Sequence, residues 1–440
     1  MRLANVSRRT AAIIQRLVYQ VREHAPGLAY DAFHTPRGWI FLTFVLVYFL
    51  AIAYLSQTNR RDPTSAFFDP QYGYEQRYSL QRQHEAETFI EKANSSAPRL
   101  PRPNGPEMCI GIATIGRPGQ QYVRATIGSL LEGLTKKERD EISLITFVAQ
   151  TDPHQHPIFG EPWLEAVSDQ VLSYDLPSED LEHLKNLERE KNYREKGIYD
   201  YAYILDKCAA TGAPWVTIVE DDTVAVVGWY QRATAAAKKI DSDRSKDKEW
   251  LYLRLFYTEE FLGRNSEDCL YYLANCCGVI LLSALILVVA RSFGYQKVIT
   301  NLVIGTVCLV CVPAVILLYF LAGKLSVHPL TPGVHEMPQF GCCGQGFVFA
   351  RRTAPLVVEH LRTKKVGFVD MLLEEWANEA DLERWVVMPS LLQHIGSTSS
   401  KGDDFGGKAK HDRSVAEKIW NFGFELYDAK GHWDPSMPME

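Results

Sequence analysis

Three stretches of the chain are apolar on every face, while the remainder alternates short apolar runs with longer amphipathic ones. The first, "GWIFLTFVLVYFLAIAYL" (Gly38–Leu55), carries no charge and matches the roughly 20 helical residues that cross a bilayer core. Two more follow at Leu270–Ala290 and Val298–Gly323, each too long and too apolar for an ordinary core helix. Only "RSFGYQK" separates these two, which predicts a transmembrane hairpin. None of the three contains Asp, Glu, Lys, Arg or His, which argues against a conduction path. Asn275, Asn301 and Thr306 suit hydrogen bonds between helices instead.

Flanking charge sets the expected orientation. Arg2, Arg8, Arg9, Arg16, Arg22 and Arg37 precede the first span against only Glu23 and Asp31, which predicts a cytosolic N-terminus. The long basic segment without a small-residue cleavage site reads as an uncleaved anchor rather than a secretory signal. Arg291 and Lys297 put the hairpin tip on the cytosolic side as well, leaving the bulk of the chain lumenal. The sequon "NSS" at Asn94 then lies where glycosylation is possible.

Between the spans the pattern changes to alternating strands and helices. "MCIGIATIGR", "ISLITFVAQTDP", "VLSYDLP" and "WVTIV" read as strands. "QQYVRATIGSLLEGL" and a charge-laced segment from Ser178 to about Cys208 read as helices. After the hairpin, "GQGFVFARR" reads as a strand, "GFVDMLLEEWANEADLERW" as an amphipathic helix and "VVMPSLLQHIG" as a closing strand and loop. This alternation predicts an α/β fold, a mostly parallel sheet flanked by helices. Neither half holds an obvious complete core, so the hairpin is expected to interrupt a single domain; two separate lumenal domains are the alternative. The expected organisation is a cytosolic segment 1–37, a first span 38–55, a lumenal stem 56–106, a first catalytic part 107–269, the hairpin 270–323 and a second catalytic part 324–440.

The chain has 440 residues, 46% of them hydrophobic and 23% charged, with a formal net charge of −6. That balance offers no basic excess for nucleic acid. Nine cysteines are too few for a disulfide scaffold. Cys276, Cys277, Cys308 and Cys311 fall in the apolar spans. Because adjacent cysteines bond each other with difficulty, Cys342 or Cys343 is expected to pair with Cys109, Cys208 or Cys269.

The candidate chemistry sits in "WVTIVEDDT". An apolar strand delivers Glu220, Asp221 and Asp222 to the carboxyl edge of the sheet, where open α/β sheets bind ligands. Crowded carboxylates resist ionising together, and a divalent cation relieves that repulsion. Oxygen ligands favour Mn²⁺ or Mg²⁺ over zinc, and such an ion suits a nucleotide diphosphate leaving group. An acidic loop or helix start is the ordinary alternative.

In this setting the chain resembles type II Golgi glycosyltransferases of the GT-A fold. More closely, it resembles the post-GPI-attachment N-acetylgalactosaminyltransferase family, through "VTIVEDDT", the inserted hairpin, "GCCGQGFVFARR", "DMLLEEW" and "PSLLQHIGSTSS". The resemblance implies a GT-A-like fold in the Golgi membrane, UDP-GalNAc as donor, and the GPI glycan or GPI-anchored proteins as acceptor. It implies an inverting transfer of N-acetylgalactosamine to the first mannose, forming a β1-4 side branch. Another metal-dependent Golgi transferase and a non-catalytic multi-pass scaffold are the alternatives.

By that resemblance Asp222 is the foremost metal ligand, with Asp221 beside it and His394 completing the set, and Glu220 faces the ribose or donor sugar. Arg117 is a candidate contact for uridine or diphosphate. Thr114, Gln150 and Asp152 sit at similar strand ends, and Gly344 and Gln345 lie where the backbone could pass close to the donor sugar. Inversion by single displacement needs a base, for which Asp370, Glu374 and Glu375 are candidates. Asp370 and Glu374 are four residues apart and share a helical face, whereas Glu375 points about 100° away. Ordinary structural roles remain open for each of these residues.

Overall fold

The computed structural model describes residues 35–94, 105–117, 119–243, 248–337, 341, 343–396 and 419–433. The N-terminal segment 1–34, most of the Pro-rich linker, Ser95 and Ser96 of the sequon, and Cys342 lie outside them. The chain divides into two compact units, Met1–Phe68 with Gly263–Val327, and Asp69–Leu262 with His328–Glu440.

The first unit is built on three apolar helices. Gly38–Thr58, Cys269–Ser292 and Asn301–Leu321 have mean hydropathies of 2.2, 2.6 and 2.7 and are long enough to cross a membrane. Polar side chains join the first and third of them. The Tyr48 hydroxyl donates to the Ala314 carbonyl at 3.1 Å and Asn59 Nδ2 to the Ala322 carbonyl at 2.7 Å. Pro313 cannot donate within the third helix, and a π-helical turn at Val307–Cys311 precedes it. At the end of that helix Arg264 donates to the carbonyls of Tyr319 and Phe320 at 3.2 and 3.0 Å, a cation where the helix dipole favours one.

The second unit is a three-layer α/β structure. Its strands are β1 (Met108–Thr114), β2 (Ile142–Val148), β3 (Gln170–Leu172), β4 (Trp215–Val219), β5 (Thr223–Ala225), β6 (Trp250–Arg254), β7 (Gly333–Glu336), β8 (Gly346–Ala350), β9 (Glu383–Met388) and β10 (Leu392–His394). Eight of them form one sheet in the order β3-β2-β1-β4-β8-β6-β9-β7. The sheet is mostly parallel, with β8 and β7 antiparallel to their neighbours. β2 and β4 are buried along their whole length, as continuous apolar runs between two helical layers should be. Strands from before and after residues 263–327 alternate in the ladder, since β8 pairs with both β4 and β6.

One apolar layer gathers Ile110, Ile127, Leu130 and Trp229, and the other gathers Phe147, Ile204, Phe349 and Leu373. The helix Tyr78–Ala93, part of the segment expected as a stem, is built into the first layer. It packs so closely on the helix Val123–Leu131 that a Cβ at Gly128 would lie 2.5 Å from the Ala86 carbonyl oxygen. Arg82, fully buried, donates from that helix to the carbonyls of Ala225 at 2.8 Å and Ser129 at 3.0 Å.

Other expectations change in detail. The charge-laced helix is two, Ser178–Glu190 and Tyr193–Ala209, broken where Lys191 takes φ 55° and Asn192 caps the second. The amphipathic helix is Val369–Glu379 only, because "ERWVVM" forms β9. The cysteine expectation is overturned: Cys109 bonds Cys208 with Cα atoms 5.6 Å apart, and Cys269 is a free, exposed thiol. β1 and the helix Tyr193–Ala209 face each other across the core, which brings that pair within bonding range. Cys343 also stands in a disulfide.

Candidate active site

Parallel packing places the carboxyl ends of β1, β2 and β4 along one rim. β8 runs the opposite way, so its first residue Gly346 lies opposite Val219, the last residue of β4. The Glu220 amide therefore donates to the Gln345 carbonyl at 3.0 Å, and Gln345 Nε2 donates to Glu220 Oε2 at 3.0 Å. Chain direction alone thus brings Gly344 and Gln345 to the acidic turn.

What holds the acids together is an arginine. Asp221 and Asp222 are buried, and so is Arg117 from the turn after β1. Arg117 Nη1 and Nη2 donate to the two oxygens of Asp221 at 2.8 and 2.7 Å, and Nη2 reaches Asp222 Oδ2 at 3.2 Å. Burial works against the Arg117 cation, but Asp221, with Asp222 and Glu220 behind it, outweighs that and raises its pKa. Burial likewise pushes the Asp221 carboxyl up from its ordinary value, against the pull of Arg117. A bidentate guanidinium is the strongest side-chain partner a carboxylate can have. Arg117 is thus the counter-ion of the acidic turn.

Behind Asp221 lies a short relay that the sequence did not single out. The Thr114 hydroxyl donates to Asp221 Oδ2 at 2.6 Å and meets His156 Nε2 at 3.1 Å, while His156 Nδ1 accepts from the Ile158 amide at 3.2 Å. These bonds assign the tautomer, since Nδ1 accepts and Nε2–H must then donate to Thr114. Burial, with Arg117 nearby, pushes the His156 pKa down to about 4, so the imidazole stays neutral beside its cationic neighbour. The only sequence signal was a histidine shortly after the strand end "AQTD".

Asp222 faces the other way. β5 and β10 form a two-stranded antiparallel ladder with Thr223 opposite His394, and the Ile395 amide donates to the Asp222 carbonyl at 2.9 Å. His394 Nε2 lies 3.5 Å from Asp222 Oδ2, both groups buried. A Cβ at Gly396 would stand 2.6 Å from Asp222 Oδ2 and 3.0 Å from His394 Nε2, so glycine keeps this cradle open.

The chemistry of the donor set tests whether a cation fits. One guanidinium among three carboxylates leaves two negative charges in excess. Among the described residues, no group of three or more His, Cys, Asp or Glu could hold an ion by itself. A hard divalent ion needs less, since it keeps water and phosphate oxygens and takes one or two carboxylates. Asp222 with His394 meets that smaller requirement, whereas Asp221 is committed to Arg117 and Thr114.

The remaining candidates separate clearly. Asp370 starts the helix Val369–Glu379, where its Oδ2 accepts from the Cys343 amide at 2.9 Å and its Oδ1 from the Met371 amide at 2.9 Å. A Cβ at Gly344 would meet Glu220 Oε1 at 3.5 Å, the Phe347 ring at 3.6 Å and the Asp370 Cβ at 4.0 Å, so both acids approach the same glycine in ordinary packing contact. Glu374 is buried and committed: Oε1 accepts from Tyr252 and from Arg254 at 2.7 Å, and Oε2 from Arg384 at 2.9 Å. Glu375 is 61% exposed, with Lys364 at 3.7 Å. Gln150 Oε1 accepts from the Gly116 amide at 3.1 Å and steadies the β1 turn. Asp152 is exposed and caps a 3₁₀ turn through the His154 amide at 3.2 Å. Arg254, Arg384 and Tyr252 were not anticipated, although an arginine closing the apolar "WLYLR" resembles the acidic end of β4.

A profile of the family described as "GPI-N-acetylgalactosamine transferase PGAP4" matches residues 108–393. The chain belongs to this family. The match runs from the start of β1 almost to the end of β10, so it takes in Arg117, the acidic turn, Asp370 and the sheet that positions them. A second similarity is to the alpha-1,3-mannosyl-glycoprotein 4-beta-N-acetylglucosaminyltransferase-like protein MGAT4D of Rattus norvegicus, 27% identical over 172 residues. Those residues are 36% of this chain and 44% of that relative, so the chain spans less than half the length of the curated protein it matches. The family is named for a transferase that acts on GPI, and the three apolar helices of this chain fit a membrane protein.

Proposed function

We propose that this protein is an inverting, metal-dependent glycosyltransferase of GT-A type that transfers N-acetylgalactosamine from UDP-GalNAc to the first mannose of the GPI glycan. The observation that carries the reading is the family match over residues 108–393, which include Glu220, Asp222 and Asp370 and end one residue short of His394. The charge pattern around the three spans supports a cytosolic N-terminus and a lumenal catalytic unit, and the family resemblance implies the Golgi membrane. One apolar span before the catalytic sequence and a hairpin within it suit a lipid-anchored acceptor, because holding both reactants at one membrane lowers the entropic barrier.

In this reading Asp222 and His394 hold Mn²⁺ or Mg²⁺, which would neutralise the charge growing on the departing diphosphate. Arg117 pairs with Asp221 and Asp222 and fixes their orientation. Glu220, held by Gln345, faces the ribose or the donor sugar. Asp370 takes the proton of the acceptor hydroxyl as its oxygen bonds to C1 of the sugar and the C1–phosphate oxygen bond breaks on the opposite face. Its two amide contacts orient that carboxylate, whereas Glu374 is tied to Arg254 and Arg384 and serves as a brace.

The purified full-length protein, given manganese and a panel of UDP-sugars, should release UDP from UDP-GalNAc and do so faster when a GPI acceptor is present. Equal release from every donor, or indifference to the acceptor, would overturn the assignment; preference for UDP-GlcNAc would favour the chemistry named for the rat relative. Asp370→Asn should lower transfer by about 100- to 10,000-fold while leaving donor binding intact. Glu374→Gln should instead lower the unfolding midpoint and weaken every readout together, because it loosens two buried arginines. If Glu374→Gln left stability untouched and removed only transfer, the roles of the two acids would be reversed.

A further inference from the structure

The Cys343 peptide is held in an uncommon conformation between an arginine and the proposed base. Its φ of 84° lies in the left-handed region, which costs a non-glycine residue free energy unless its surroundings impose it. Side chains take both of its backbone polar groups. The Cys343 amide donates to Asp370 Oδ2 at 2.9 Å, and the Cys343 carbonyl accepts from Arg254 Nη1. The other oxygen of Asp370 accepts from the Met371 amide at 2.9 Å, within the same helix. The Cys343 peptide thus fixes this carboxylate from outside its own helix.

Arg254, the last residue of β6, is fully buried and acts as a two-pronged clamp. Nη1 holds the loop at Cys343, and Nη2 holds the helix Val369–Glu379 through Glu374 Oε1 at 2.7 Å. Glu374 lies four residues from Asp370, one turn along the same helical face. The rigid guanidinium plane therefore spaces that face from the loop carrying the Cys343 amide. Its own orientation is set from the core side. Cζ lies 5.1 and 4.8 Å from the ring centres of Tyr252 and Phe347, and Nε donates to the Tyr252 hydroxyl at 3.3 Å. The loop backbone passes against the pair, since a Cβ at Gly341 would stand 2.6 Å from Glu374 Oε1 and 3.0 Å from Arg254 Nη2. Glu374 also holds Arg384 at 2.9 Å, so this acid keeps a cation if Arg254 is replaced.

We propose that Arg254 is a positioning residue for the transfer step, setting the aim of the Asp370 carboxylate through the Cys343 peptide. The inference rests on the reading of Asp370 as the base and adds the residue that orients it. Orientation of this kind is felt in turnover rather than in donor binding, because misplacing a reacting group by about 1 Å costs about 100-fold in rate.

The test is a double-variant cycle on the full-length protein in detergent, with manganese, UDP-GalNAc and a GPI acceptor. Arg254→Met removes both prongs while Arg384 stays on Glu374. It should lower kcat for transfer by about 100-fold, while KM for UDP-GalNAc and affinity for UDP move by less than about twofold. In an Asp370→Asn background the same change should lower the residual rate by about threefold or less, because the group it aims is already gone. Equal fold-losses in both backgrounds, or an unchanged kcat in Arg254→Met, overturn the proposal and leave Asp370 as the base. If Arg254→Met fails to bind UDP, Arg254→Lys repeats the cycle with the charge retained and the fork lost. Loss of UDP affinity in that variant too shows that the arginine maintains the whole site, which also overturns the proposal. Full transfer by Asp370→Asn alone overturns the reading of the base, a separate result.

Discussion

Asp222→Asn should reduce transfer by about 100- to 1,000-fold with little change in the unfolding midpoint. The carboxylate sits at the open end of the acidic turn, opposite His394 at 3.5 Å, and its contact with Arg117 at 3.2 Å is the longer of that residue's bonds. Converting it to an amide keeps the shape and removes the charge that would balance a divalent ion. The manganese concentration for half-maximal activity should rise as well, and His394→Ala should raise it in the same sense. An Asp222→Asn protein with full activity would remove the metal from the proposed chemistry.

Arg117→Ala should lower stability by about 3–5 kcal/mol, the effect of deserting a buried ion-pair partner. Asp221 is buried and receives both terminal nitrogens of that arginine, so its removal leaves a charge with neither water nor a counter-ion. Arg117→Lys should recover only part of the loss, because an ammonium cannot span both oxygens. The double variant Arg117→Ala with Asp221→Asn should be less destabilised than the sum of its parts, and thermal unfolding of the four proteins measures that coupling. Strict additivity would show that the arginine does not support the acids. Together the two expectations divide the triplet: Asp221 is read out in folding and Asp222 in turnover.

Much of the fold was legible because long apolar runs have few options. β1, β2 and β4 are continuous hydrophobic strands, and β2 and β4 are buried throughout. The segments that escaped notice are short or irregular. β5 is three residues squeezed between the acids and the next apolar turn, and β7 is a half-exposed edge strand without alternation. The helix expected from Ser178 to Cys208 was misjudged because one lysine in a left-handed conformation is invisible in a charge pattern. In the site, the acids stood out because three carboxylates ending an apolar run demand a reason. Arg117 could be noticed as a strand-end arginine, but its partner depends on β1 and β4 being neighbours. The approach of His394 to Asp222 needs the β5–β10 ladder, a pairing between distant segments that no local motif encodes.

The place of β8 in the sheet sets the order in which this protein can be completed on the ribosome. That strand separates β4 from β6, and it is synthesised only after both apolar helices of the pair. Until then β4 and β6 lack the strand they share, and the acidic turn lacks the glutamine that steadies Glu220. Synthesis of the apolar pair therefore precedes pairing of the strand that completes the sheet around the acidic turn.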